Sequence, residues 1–230
     1  MSLELISKNL VIKKPSKKHL NFLVQELNNW EISKWLVRVP YPYKHEDAIK
    51  WLRLTENNEL SFNIFIKNIL IGGISLDTKE NSLHLELGYW ISEKYWGNGY
   101  AQESCHSLIK YAFNNTSMSI IHASHMADNN KSKKILINLG FKEIGKGKKF
   151  SISRGEEVED IDYELLNTYV KEEFISVLKQ SFLLDLYLSA QLEIRHLKVV
   201  FAKADIKNTT GLYYYLSQQL TDISLYLIGF

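Results

Sequence analysis

The chain has 230 residues, 45% of them hydrophobic, with 28 basic and 26 acidic side chains and one cysteine. A net charge of +2 is too small to select a nucleic acid or an anionic membrane by its field alone, and a lone Cys105 excludes an internal disulfide. No stretch reaches the ~20 apolar residues of a membrane span, since Asp185 interrupts the best one near Phe182, and the Met-Ser-Leu-Glu-Leu start lacks a signal-peptide pattern, so a cytoplasmic protein is expected.

In chain order, hydrophobic periodicity gives an α/β reading. Leu10 to Ile12 reads as a short strand stopped by Pro15. Ser16 is the expected N-cap of a helix with Leu20, Leu23 and Leu27 on one face. Pro40 and Pro42 break any helix there, and a second helix is expected from about His45 through Ala48, Trp51 and Leu52. Three strands follow at Leu60 to Ile66, Leu70 to Leu76 and Leu83 to Ile91, the first two joined by a tight turn at Lys67-Asn68. After Gly99 a helix runs to about Phe113, and a strand spans Ser119 to Met126. A helix from about Asn130 to Leu139 should end on Gly140 in the left-handed conformation. Strands Phe141 to Ser153 and Val158 to Leu165 flank a turn at Arg154-Gly155-Glu156. From about residue 168 the pattern becomes helical. Phe174, Leu178 and Phe182 form one stripe, and Leu212, Leu216, Leu220, Ile223 and Leu227 form another, with a break near Lys207 to Gly211. We therefore expect a domain over residues 1–167 and a helical extension over 168–230 that packs on the domain or on a second subunit.

The segment Leu85 to Glu103 carries the chemistry. A strand runs into Trp96-Gly97-Asn98-Gly99-Tyr100-Ala101, and this turn opens a helix. Glycines let backbone approach a ligand closely, and a helix N-terminus offers free N–H groups and a positive dipole end to phosphate. There is no third glycine at dinucleotide spacing and no Gly-Lys-Ser/Thr, so neither a dinucleotide fingerprint nor a nucleoside triphosphate loop is present. On spacing alone, a pyrophosphate cradle and an ordinary strand–helix turn remain equally good readings.

The same segment resembles the acetyl-CoA signature of the GNAT acetyltransferase superfamily, Gln/Arg-x-x-Gly-x-Gly/Ala, with Trp96 departing at the first position. Tyr-Trp-Gly-x-Gly-Tyr-Ala-x-Glu is similar to the RimJ/RimL branch. So are Asp128-Asn129-Asn130-Lys131-Ser132 with Leu139-Gly140-Phe141, and Asn29-Trp30-Glu31-Ile32 with Val39 to Tyr43. The resemblance covers about residues 8–167 and implies a mixed, mostly antiparallel sheet flanked by helices, with acetyl-CoA as cosubstrate. It implies that backbone groups of Tyr89, Trp90 and Ile91 hold the acetyl and pantetheine end. Trp96, Gly97, Asn98, Gly99, Tyr100 and Ala101 would form the pyrophosphate cradle, and Asn129 would reach the pantetheine arm. Ser132 is the candidate to hydrogen-bond the departing sulfur; many relatives use a tyrosine four residues further on for that, where this chain has Leu136. Glu86 is the candidate base.

Each of these residues also has a plain structural reading. Glu86 fits a solvated or salt-bridged strand position, and Ser132 fits backbone bonding in a first helical turn. His122 and His125 should point to opposite faces of a strand and so share no metal; none is expected. Cys105 and His106 do not face each other on a helix. Lys131, Lys133 and Lys134 read as cofactor-phosphate ligands or as a solvated face, and Trp30, Trp35, Tyr41 and Tyr43 as acceptor walls or as packing. The leading expectation is an enzyme that acetylates a primary amine, either a protein N-terminus or a small molecule. No nucleic-acid or membrane partner is expected, and a homodimer through the C-terminal helices would bury their stripes. The alternative is a non-catalytic acyl-CoA-binding module that serves assembly or regulation.

Overall fold

The computed structural model describes residues 3–78, 84–116 and 118–167; the expected C-terminal helices lie outside the described residues. The strands are β1 (Glu4–Ile6), β2 (Val11–Lys13), β3 (Ser61–Ile66), β4 (Ile69–Thr78), β5 (Leu85–Ile91), β6 (Ile120–Met126), β7 (Lys142–Ser151) and β8 (Glu156–Leu166). They form an eight-stranded sheet in the order β1-β2-β3-β4-β5-β6-β8-β7. The pairs from β1 through β5 and the β7–β8 pair are antiparallel, while β5 and β6 run parallel. The helices are α1 (Leu20–Leu27), α2 (Trp30–Ser33), α3 (His45–Glu56), α4 (Tyr100–Asn115) and α5 (Asn130–Asn138). Among the described residues, no helix is long and apolar enough to cross a membrane.

Register assigns the two faces of the sheet. Phe62 pairs Ile74, Ile74 pairs Tyr89 and Leu76 pairs Leu87, so these residues share one face with Leu85 and Ile91. That face receives α4, whose Cys105, Leu108 and Ala112 are fully buried. The other face carries Asn63, Gly73, Ser75, Glu86, Gly88 and Trp90. Here Leu20, Leu23 and Leu27 of α1 join Ile32, Tyr43, Ala48 and Leu52 in a core against which Trp90 and Trp96 pack. Gly73 permits this, because a Cβ there would stand 2.7 Å from the Trp90 Nε1. A leucine buried in such a core contributes about 1.5–3 kcal/mol, which is how three of them hold the eight-residue α1.

Among the described residues the periodic segments form as expected, with shifted ends. Leu10 to Ile12 becomes Val11–Lys13, and α3 continues to Glu56, beyond Leu52. Ser16 does not cap by its side chain; its Oγ lies 3.1 Å from His19 Nδ1, and a 3-10 turn at Lys17–His19 leads into α1. Of the strand expected from Leu83, β5 covers Leu85–Ile91 and Leu83 itself lies outside the described residues; the one expected from Phe141 begins at Lys142, because Phe141 N–H still closes the α5 terminus onto the Leu136 carbonyl at 3.1 Å. Gly140 takes φ +89, as the helix end requires. Two elements give no periodic signal. β1 has three residues, and α2 has four and is organised by Asn29, whose side chain accepts from Glu31 N at 2.9 Å. The Tyr41–Pro42 bond in the following turn is cis.

Candidate active site

The sheet opens in its middle. The parallel ladder pairs Leu85 with Ile121, Glu86 with His122 and Leu87 with Ala123, and extends no further. Among the described residues β5 continues to Ile91 on β4 alone, so from Gly88 onward its other edge faces a cleft. Ser92 N donates to Ile71 O at 2.7 Å, and the chain then turns through Glu93–Tyr95 toward α4.

The turn at the end of that cleft is braced from within. Trp96 Nε1 donates to Ile91 O at 2.6 Å, and Asn98 Nδ2 donates to the carbonyls of Tyr95 and Trp96 at 3.1 and 3.0 Å. These bonds give the tryptophan and the asparagine structural positions in the turn. Gly97 and Gly99 both take φ +79, and Gly99 is the N-cap of the sixteen-residue α4. A glycine cap offers no side-chain acceptor to the first N–H groups of α4. Tyr100 and Ala101 therefore begin a helix whose positive end is open to an anion. Lys131 Nζ reaches from α5 to 4.2 Å above the Trp96 ring, which places one cation beside this end. Lys133 and Lys134 show no comparable contact with the turn among the described residues.

Across the cleft, Asn129 caps α5, its Oδ1 accepting from Ser132 N at 3.1 Å. Its side-chain oxygen is thus engaged in the cap. Ser132 Oγ does not return to backbone; it meets Tyr89 OH at 2.8 Å. Burial above all, and then the neighbouring Cys105, push the Tyr89 phenol above its ordinary range, and the bond to Ser132 only partly opposes them. Leu136, one turn further along α5, is fully buried.

Glu86 lies on the opposite face, at the last paired positions before the opening. Lys149 of β7 holds a group of acids there. Its ammonium contacts Asp160, lies 3.3 Å from Asp162 and 4.0 Å from Glu86, and donates to Ser124 Oγ at 2.7 Å. Burial pulls the Lys149 pKa down, but the hydrogen bond and charge of Asp160, followed by Asp162 and Glu86, outweigh it and leave the pKa raised. Asp160 is 1% exposed, and among the described residues its oxygens accept no hydrogen bond apart from the contact with this lysine. His84 and His122 stack beside Glu86 with centroids 4.7 Å apart. His125 turns to the other face and bonds Met126 O and Tyr163 OH, so the two strand histidines do point apart.

Arg154, in the β7–β8 turn, ties the rim. It donates from Nε to Lys34 O at 2.9 Å, pairs with Asp128 at 3.2 Å, and stacks 5.0 Å from the Trp35 ring. The aromatic group divides: Tyr43 is buried in the α1–α3 core, while Trp30 and Tyr41 meet edge to face in the open at 5.0 Å. Lys149, Asp160, Arg154 and the Tyr89 side chain carry no motif. Only the alternation of Val158, Asp160 and Asp162, which places both acids on one face of β8, hints at their grouping.

A family model described as an acetyltransferase (GNAT) domain matches residues 9–142. YdaF of Bacillus subtilis (strain 168), named as a candidate ribosomal N-acetyltransferase, is 26% identical over 170 residues, covering 71% of this chain and 92% of that protein. The fold is similar to that of RimL, the ribosomal L7/L12 alpha-N-protein acetyltransferase, in complex with coenzyme A. The TM-score is 0.63 at 18% identity, over 71% of this chain and 98% of that one. It is also similar to the microcin C7 self-immunity acetyltransferase MccE in complex with acetyl-CoA and AMP, at TM-score 0.60 and 18% identity, over 70% and 94%. With a match over most of its length, an open parallel ladder and a glycine-capped α4, the chain belongs to the GNAT acetyltransferase family.

Proposed function

We propose that this protein transfers an acetyl group from acetyl-CoA to a primary amine, a protein N-terminus or a small molecule. The observation that carries the reading is the β5–β6 opening, which leads into the glycine-capped end of α4. Acetyl-CoA supplies an acetyl group activated as a thioester. The amides of Gly97 to Ala101 receive its pyrophosphate, where the dipole of α4 favours negative charge. The free edge of β5 from Gly88 to Ile91, which includes the backbone of Tyr89 and Trp90, hydrogen-bonds the pantetheine arm in the manner of an added strand.

The two candidate catalytic residues flank this edge on opposite faces. Ser132 lies beside Tyr89 on the α4–α5 side, and Glu86 lies on the side of Trp90. The amine approaches from the Glu86 side and gives up its proton to Glu86, directly or through water, while Ser132 serves the sulfur on the far side. Glu86, Asp160 and Asp162 gather around Lys149, a grouping of carboxylates that favours a positively charged acceptor.

The test is to incubate the full chain with acetyl-CoA and a panel of amines and peptides, following free thiol release. Amine-dependent release supports the reading. Tight binding of acetyl-CoA with no release across the panel would instead make the chain a non-catalytic acyl-CoA-binding module.

A further inference from the structure

The Tyr89–Ser132 bond joins β5 to the first turn of α5. A serine in the first turn of a helix ordinarily folds its hydroxyl back onto nearby backbone. Ser132 does not. Its N–H is fixed by Asn129, and its Oγ lies 2.8 Å from the phenol of Tyr89, which comes from β5 beyond the last β5–β6 pair. The bond therefore bridges the cleft between strand and helix, at the level where β5 presents its free edge.

We infer that Tyr89 is a positioning residue for the leaving sulfur: its phenol donates to Ser132 Oγ, which commits the serine's own hydrogen to the cleft. The inference rests on the transferase reading. A hydroxyl has one hydrogen to give and two lone pairs, so accepting from Tyr89 costs Ser132 none of its donor capacity. Burial of the phenol keeps it protonated, and so a donor, through the neutral and mildly alkaline range. Chains of hydroxyls polarise one another, which makes the terminal O–H a better donor to an anion. Leu136 is sealed in the core and has no polar group, so in this chain the phenol comes from the strand and not from α5.

In the transfer a C–N bond forms to the amine, the C–S bond breaks, and its electron pair stays on sulfur. The amine proton passes to Glu86. The thiolate is held by the Ser132 hydrogen and takes its proton later from water.

The experiment uses the full chain, Tyr89→Phe, Ser132→Ala and the double variant, each confirmed as folded by circular dichroism. Two quantities are read: steady-state kinetics, and ionisation of the bound CoA thiol followed by its ultraviolet absorbance. Tyr89→Phe should lower kcat about tenfold with KM for acetyl-CoA within about twofold, the loss of one hydrogen bond made to the leaving group. It should also raise the pH at which bound CoA ionises. Ser132→Ala should do the same, and the double variant should be no worse than Ser132→Ala alone. Fluorotyrosine at position 89, which retains ring and hydroxyl but donates more strongly, should move the thiol the other way; it decides the matter if the phenylalanine variant fails to fold. Unchanged thiol ionisation in Tyr89→Phe, or in the fluorotyrosine protein, would overturn the inference. So would losses that multiply in the double variant. A wild-type chain that binds CoA but acetylates no amine would remove the transferase reading, and the thiol titration would still decide the bond.

Discussion

Replacing Lys149 with methionine should cost far more than losing a surface ion pair. Methionine keeps the length of the stem and removes the ammonium, which stranded Asp160 cannot replace: that carboxylate is 1% exposed and accepts no other hydrogen bond among the described residues. Breaking one side of a buried pair costs about 3–5 kcal/mol, against about 0–1 kcal/mol for an exposed pair. The Lys149 side chain is 29% exposed, so water already shares in its solvation and the lower end, about 3 kcal/mol, applies. For a chain of this size each kcal/mol moves the melting midpoint by about 2–4 °C, giving a drop of roughly 6–12 °C at neutral pH by scanning calorimetry. Adding Asp160→Asn to the variant removes the stranded charge and should recover part of the loss. The folded Lys149 pKa is raised, so its stabilisation is complete below the unfolded value of about 10.4 and is lost only as pH rises through the folded one. A Lys149→Met protein melting within about 2 °C of wild type, with no recovery on adding Asp160→Asn, would refute a buried pair here.

Gly99→Ala should cost about 1 kcal/mol of stability by denaturant titration, because φ +79 is strained for any side chain although the space beside it is open. Gly99→Glu should in addition abolish acetyl-CoA binding by calorimetry; a folded variant with wild-type affinity would remove the cradle from the mechanism. Glu86→Gln should lower the rate about 10²–10⁴-fold near neutral pH and less at high pH, where more of the amine is already free; a pH–rate profile matching wild type would exclude Glu86 as the base. Glu103 accepts from Ser7 Oγ and Asn9 N at 2.7 Å and from Asn9 Nδ2 at 2.8 Å. Burial works against its charge, but the Asn9 and Ser7 bonds outweigh burial and lower its pKa. Its stabilisation is thus present above the unfolded value of about 4.3 and lost as pH falls through the folded one, and melting curves of Glu103→Gln should lack that acid-side loss.

Periodicity made the larger elements legible because each had a face to bury. Leu20, Leu23 and Leu27 announced α1, and all three are in the core. The pairing of β5 with β4 and the glycine at the head of α4 followed from strand, turn and helix signals lying side by side. α2 was not legible, since four residues complete barely one turn and the helix is set by the Asn29 side chain. Glu86 and Ser132 could be named, but not that they stand on opposite faces of one strand edge with Tyr89 between them in sequence. Lys149 and Arg154 were invisible for a related reason. Their partners lie on β5, β6, β8 and the α2 turn, and only closure of the sheet brings a β7 lysine and a turn arginine to them.

The interrupted β5–β6 ladder has a bearing on solubility. Free strand edges invite pairing with other chains, and proteins usually blunt them at the rim of a sheet. The rims here are blunted: β1 has three residues, and β7 carries Lys142, Lys146 and Lys148. The unpaired backbone of β5 lies instead in the interior of the sheet, between β5 and β6. A strand from a neighbouring molecule would have to enter between two strands already joined at Leu85 to Leu87. Binding capacity of the kind that makes amyloid edges dangerous is thereby kept where a slender chain can reach it and a polypeptide sheet cannot.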